Sequence, residues 1–269
     1  MNIYEYIQLD KNEKPLDNIV TDGGYCGIFR TIACVGDSLS SGEFESKNED
    51  GSTGYHDMYE YSWGQFMARD IGAKVYNFSR GGMTAKEYVE TFADIKGFWA
   101  DDKICQAYII ALGVNDIFNA KRELGSVKDI CLEDYTQNAD TFAGWYARII
   151  QRYQSMQPKG KFFLVAPPKC NGGTATDQKA IRDLLEEMTT VFKNTYLIDL
   201  YTYSPPHVGE FAETFWLGHM TAAGYRLMAK MIESYLDYII RHNPKDFAEV
   251  GFIGTNLSYK KEVTYGITG

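Results

Sequence analysis

The chain has 269 residues, 45% of them hydrophobic and 23% charged, enough to bury a full core in one α/β domain or at most two small ones. Its net charge of −9 argues against nucleic acid or an anionic membrane as the main partner, because both need basic patches. The five cysteines (Cys26, Cys34, Cys105, Cys131, Cys170) contain no CxxC pair, so neither a zinc site nor a disulfide framework is indicated.

Strand and helix patterns alternate along the sequence. Thr31–Val35 is an apolar run with the character of a buried strand, and it leads into Gly36-Asp37-Ser38-Leu39-Ser40. Glu43–His56 is acidic, bears Gly and Ser, and reads as an irregular lid or substrate loop just past Ser38. Met58–Asp70 reads as a helix with Tyr59, Trp63, Phe66 and Met67 on one face. Ala73–Phe78 is the second strand, and Thr84–Phe92 a helix opened by a threonine cap. Gln106–Leu112 is the third strand, an apolar run of the length a parallel strand needs. Asn119–Asn138 is irregular.

Thr141–Gln157 is the clearest helix, stopped at Pro158-Lys159-Gly160. Lys161–Ala166 is the fourth strand, followed by the loop Lys169–Thr176 and a helix over Asp177–Phe192. Tyr196–Leu200 is the fifth strand and Thr221–Arg241 the last helix. Such alternation predicts a three-layer α/β/α, flavodoxin-like fold with a five-stranded parallel sheet. One domain over residues 1–269 is expected, with its core at about 31–241 and the terminal segments packed on it. The N-terminus carries neither the basic nor the apolar region of a secretion signal, and no apolar stretch is long enough to span a bilayer. A cytoplasmic protein with no membrane partner is therefore expected; the oligomeric state is left open.

In an open parallel sheet, ligands bind at the carboxyl ends of the strands near the point where strand order reverses. The first three strands end in Gly36-Asp37-Ser38, Asn77–Thr84 and Gly113-Val114-Asn115-Asp116. In the order 2-1-3-4-5 these strands are neighbours, so the three turns converge. A serine at a strand end, held in a Gly-led turn, projects its hydroxyl as a nucleophile. Acyl transfer by serine also needs a base and donors for the developing oxyanion. The Ser38 N–H, an N–H of the Gly81-Gly82 pair and the Asn115 amide are candidate donors. Gly81-Gly82 as a plain turn and Asn115 as a helix cap are the bland alternatives. Of the histidines His56, His207, His219 and His242, only His219 stands just before the final helix and returns to the Ser38 edge.

Four blocks in this order resemble the SGNH (GDSL-type) hydrolase superfamily of esterases and acylhydrolases. The matching residues are Gly36-Asp37-Ser38-Leu39, the stretch Asn77–Thr84, Gly113-Val114-Asn115-Asp116, and His219 followed by Ala222-Ala223-Gly224-Tyr225. The resemblance spans about residues 31–241. It implies Ser38 as nucleophile, His219 as base, and Gly82 and Asn115 as oxyanion donors, with no metal or organic cofactor required.

The family's aspartate three residues before the histidine is replaced here by Trp216. The third member of a triad is thus unassigned, with the Trp216 carbonyl leading and Glu213 second; Asp37 and Asp116 read as loop braces. The expected function is hydrolysis of a carboxylic ester through an acyl-enzyme. The partner is a small-molecule or carbohydrate ester, and a carbohydrate acetyl ester is preferred because Tyr55, Tyr59, Phe215 and Trp216 could stack on a sugar. The polar segment Ser41–Ser46 further suggests acetyl over octanoyl esters. A thioesterase or short-chain lipase is the alternative within this chemistry. An inactive binding module or a flavin- or phosphate-binding flavodoxin-like protein is the alternative outside it.

Overall fold

The computed structural model describes residues 6, 7, 10, 12–170 and 175–257. Along these residues run β1 (Thr31–Gly36), β2 (Glu43–Lys47), β3 (Thr53–Asp57), β4 (Lys74–Ser79), β5 (Ala107–Ala111), β6 (Lys161–Ala166), β7 (Thr195–Asp199), β8 (Trp216–Leu217) and β9 (His219–Met220). Five of them form the main sheet in the order β4-β1-β5-β6-β7, with every pairing parallel. Counting sheet strands alone, this is the order 2-1-3-4-5 expected from the alternation.

Side chains on a strand alternate between faces, and this period of two divides the core. Ala33 and Val35 of β1 face one layer with the helices Phe142–Met156 and Ala175–Val191. Ile32 and Cys34 face the other, with Trp63–Ile71 and Ala222–His242. Both sides of β1 are buried, which is why its sequence is a continuous apolar run. The helices begin where short polar side chains cap free N–H groups. Ser62 Oγ accepts from Gln65 N at 3.3 Å, Thr141 Oγ1 from Gly144 N at 3.2 Å, and Thr221 Oγ1 from Gly224 N at 3.1 Å.

The described parts of both terminal segments pack on the Ala222–His242 side. Val20 N donates to Ser234 Oγ at 3.0 Å and Tyr25 N to Asp237 Oδ1 at 2.8 Å. Phe247 meets Phe29 and Phe163, with ring centroids 6.3 Å away in both cases. Among the described residues no helix is long and apolar enough to cross a membrane.

Three elements differ from the sequence expectation. The helix read over Met58–Asp70 is a 3-10 turn over Tyr59–Tyr61 followed by an α-helix over Trp63–Ile71 that Ser62 caps. The stretch read as an irregular lid is an antiparallel hairpin, β2 against β3, in the register Glu43↔Asp57 to Lys47↔Thr53. The Thr84–Phe92 helix has its Thr84 cap, but only Ala85–Glu87 is α-helical before a π-turn over Tyr88–Phe92. The expected loop Lys169–Thr176 lies partly outside the described residues, as do the outermost parts of both tails.

Candidate active site

The ladder register sets the site. Gly36, last in β1, pairs with Ser79 of β4 on one side and Ala111 of β5 on the other. The three motif turns therefore leave the sheet level with one another. Gly36 is required where it stands: a Cβ there would sit 2.1 Å from Ser40 Oγ. Asp37 caps the short helix Ser38–Ser41, accepting from Leu39 N at 3.1 Å, so Ser38 occupies the first helical position at the end of the central strand. Its carbonyl is tied down by the Tyr225 hydroxyl at 3.3 Å and the Ser41 hydroxyl at 3.2 Å.

Asn115 stitches the three turns together. Its Nδ2 donates to Met83 O at 3.2 Å and to Asp37 Oδ2 at 3.4 Å, while its Oδ1 accepts from Asn119 at 2.6 Å. Asp116, fully buried, accepts from Ala85 N through both carboxylate oxygens at 3.1 and 2.9 Å. It thereby pins the glycine-bearing turn after β4 to the turn after β5. The reading of both aspartates as braces agrees with these contacts. Burial pushes the Asp37 carboxyl up to about 7, against the Leu39 N–H and nearby His219, which hold it down. Gly82 adopts φ 72, the left-handed region that glycine enters without strain, and its N–H donates to no group among the described residues.

His219 lies on β9, which turns back on β8 through Gly218 at φ 80. This pair packs against β2, and there the structure departs from the sequence reading. Glu43 and Glu45 are two apart on one strand and so share a face. They clasp the imidazole: Glu45 Oε1 lies 2.8 Å from Nδ1 and Glu43 Oε1 3.1 Å from Nε2. Two glycines make room for the carboxylates. A Cβ at Gly218 would lie 2.0 Å from Glu45 Oε2, and one at Gly81 2.0 Å from Glu43 Oε2. Phe44, on the opposite face of β2, packs on Tyr61 and Tyr225 with centroids at 5.7 and 5.4 Å.

The acceptor on Nδ1 is thus a carboxylate from the hairpin. Neither the Trp216 carbonyl nor Glu213, which is exposed on the helix Gly209–Phe215, takes that place. Sequence reasoning missed Glu43 and Glu45 because their stretch read as a loop. The signal was present as a polar–apolar–polar alternation over Glu43-Phe44-Glu45 ahead of an Asp50-Gly51 turn, the pattern of a hairpin. The other histidines hydrogen-bond to none of the three motif turns. His56 meets Ser46 Oγ at 2.7 Å, His207 is buried against Phe211, and His242 meets the Tyr238 carbonyl at 2.8 Å.

Beside the Ser38 turn lies an apolar cavity of about 300 Å³, lined by Leu39, Val114, Pro167, Pro168, His207 and Trp216 among others. On the hairpin side, Tyr55 is 60% exposed and its ring edge meets the His219 ring with centroids 6.0 Å apart. The polar segment expected to limit acyl length is β2 and lies against His219, while residues from other turns line this cavity. Among the described residues no group of three or more His, Cys, Asp or Glu side chains is placed to hold a metal ion.

Comparison with known proteins adds family and fold. A family model described as GDSL-like Lipase/Acylhydrolase matches residues 32–232. A solved structure from Lactobacillus plantarum is 18% identical, with a TM-score of 0.57 over 78% of this chain and 97% of that one. A family two carbohydrate esterase from Clostridium thermocellum, solved in complex with cellohexaose, is 18% identical, with a TM-score of 0.54 over 81% of this chain and 65% of that one. A carbohydrate acetylesterase from Sinorhizobium meliloti is 16% identical, with a TM-score of 0.53 over 78% of this chain and 99% of that one. At these identities the likeness is one of fold. No curated protein matches the sequence.

Proposed function

Since the chain belongs to the GDSL-like lipase/acylhydrolase family and is a carboxylic ester hydrolase, we propose that it works as a serine esterase through an acyl-enzyme, with a carbohydrate ester as substrate. Ser38 is the nucleophile, His219 the base, and Glu45 the carboxylate that holds His219. The observation that carries this reading is the 2.8 Å contact between His219 Nδ1 and Glu45, made at the same sheet edge as Ser38. A carboxylate there fixes the tautomer with Nδ1 protonated, leaves the Nε2 lone pair for the Ser38 proton, and stabilises the imidazolium that results.

In acylation, Ser38 Oγ bonds to the ester carbonyl carbon as its proton passes to His219 Nε2. The tetrahedral oxyanion is received by the free Gly82 N–H, the Ser38 N–H and the Asn115 amide. Asn115 gives up its longer bond, the 3.4 Å one to Asp37, and keeps the one to Met83. Collapse breaks the ester C–O bond and Nε2–H protonates the leaving alcohol. Water, activated by the same nitrogen, then releases the acid and restores Ser38.

The carbohydrate reading rests on Tyr55, an exposed ring beside the base, of the kind that stacks on a sugar face. Two of the structurally similar proteins are also carbohydrate esterases by name. Acetyl is the preferred acyl group, and the cavity bounded by Leu39 and Val114 is assigned to the acyl side. The test is covalent. A fluorophosphonate probe should label Ser38, identified by peptide mass, and Ser38→Ala should abolish both labelling and hydrolysis. Labelling that persists in a folded Ser38→Ala protein would move the nucleophile elsewhere.

A further inference from the structure

Glu43 has no part in the serine mechanism as derived above, yet it touches the atom on which that mechanism turns. Its Oε1 lies 3.1 Å from His219 Nε2, and the other face of its carboxylate occupies the space above Gly81. Nδ1 is already engaged with Glu45. At that distance the Glu43 carboxylate occupies the approach to Nε2. Burial raises the Glu43 carboxyl above the usual range while His219 opposes the rise.

Ser38 can hand its own proton to Nε2 only after Glu43 has withdrawn. The leaving alcohol oxygen must also come to that nitrogen to be protonated. Glu43 therefore stands in the leaving alcohol's place, between the base and the glycine turn. Displaced by substrate, its carboxylate stays beside the alcohol half of the ester, close to the site of a developing oxyanion. Left bare, that negative charge opposes the transition state; satisfied by a donor or a cation on the alcohol, it does not. The other acids near His219, Glu45 and Asp37, and Asp57, which acts on Glu43, add negative charge. The rings beside the base are Tyr55 and Trp216.

We propose that Glu43 is the specificity-determining residue for the alcohol half: the enzyme takes esters whose alcohol carries a hydroxyl donor or positive charge next to the ester oxygen, and rejects anionic alcohols. The proposal rests on the serine esterase reading and narrows it. Free sugar hydroxyls meet the requirement, whereas a phosphate-bearing alcohol or thiol does not.

Three ethyl acetates that differ only in the group on the second carbon of the alcohol, trimethylammonium, neutral methoxy and carboxylate, test it with the full chain. The parent enzyme should favour the cation over the anion by at least tenfold in kcat/KM. Glu43→Gln should bring that ratio to within about threefold of one while turning over the neutral ester at least as fast. An unchanged selectivity ratio in the variant would overturn the proposal, as would an equal loss on all three esters. Absence of both turnover and fluorophosphonate labelling in the parent would instead remove the serine esterase reading, and this proposal with it.

Discussion

Replacing Glu45 by Gln isolates what the hairpin contributes to the base. Opposite unit charges about 4 Å apart interact by about 4 kcal/mol at an effective dielectric of about 20. The Glu45 side chain is 24% exposed, so solvent screening cuts this by about half, to about 2 kcal/mol. That energy is absent before proton transfer, when the imidazole is neutral, and present once the imidazolium forms, so it appears in kcat. Alone it corresponds to about thirtyfold. A carboxamide can also turn its NH₂ toward Nδ1 and favour the wrong tautomer, which raises the loss toward about a thousandfold. The assay is steady-state hydrolysis of 4-nitrophenyl acetate with kcat and KM separated, alongside a melting curve. The expected result is a kcat lower by about thirty- to a thousandfold with KM little changed. Glu213→Gln, altering an exposed residue of the helix Gly209–Phe215, should stay within about twofold of the parent. A folded Glu45→Gln enzyme with kcat within about threefold of the parent would refute the assignment, and a large loss in Glu213→Gln would transfer it. Gly218→Ala offers a check from the opposite direction, because its Cβ would displace Glu45 from 2.0 Å away and should reproduce the loss.

Asn115→Ala should lower kcat by about a hundred- to a thousandfold with little change in KM, the usual cost of removing one preorganised oxyanion donor; an effect confined to KM would make Asn115 a ground-state binder. Val114→Phe should fill the cavity of about 300 Å³ and slow butyryl ester hydrolysis at least tenfold more than acetyl, and equal effects on the two chain lengths would place the acyl group elsewhere. Glu233, in the Ala222–His242 helix, has its carboxyl pushed up to about 7 by burial and by Asp70, against the pull of Lys230. A folded-state value above the unfolded one gives stability that is fully present below about pH 4.5 and is lost as pH rises through about 7. Glu233→Gln should therefore gain in Tm relative to the parent between pH 5.5 and 8.5, and a pH-independent difference would contradict the shift.

The sheet was legible in the sequence because its strands are buried on both faces. Thr31–Gly36 and Lys161–Ala166 can only read as apolar runs, and the motif turns then leave the sheet where the register puts them, just past the level of Gly36, Ser79 and Ala111. The brace roles of Asp37 and Asp116 were legible for the same reason, since each follows directly from a turn at a strand end. The partner of His219 was not. His219 and Glu45 are 174 residues apart in the chain, and Glu45 rides on a two-stranded hairpin whose faces carry little burial contrast. Lys47, Thr53, Tyr55, His56 and Asp57 are all exposed, so strand register leaves almost no hydrophobic imprint there. Phe44, seated on Tyr61 and Tyr225, and the Tyr225 hydroxyl, which donates to the Glu43 carbonyl at 2.7 Å, hold the strand so that Glu43 and Glu45 point the other way, toward His219; a slip of one residue would turn both carboxylates away from the imidazole. The short helix Ser38–Ser41 ends at Gly42 at φ 83, and β2 begins with Glu43 directly after it. Ser38, the proposed nucleophile, and the two carboxylates that contact His219 thus share one continuous segment from Ser38 to Glu45, and a search just upstream of the histidine could not find them.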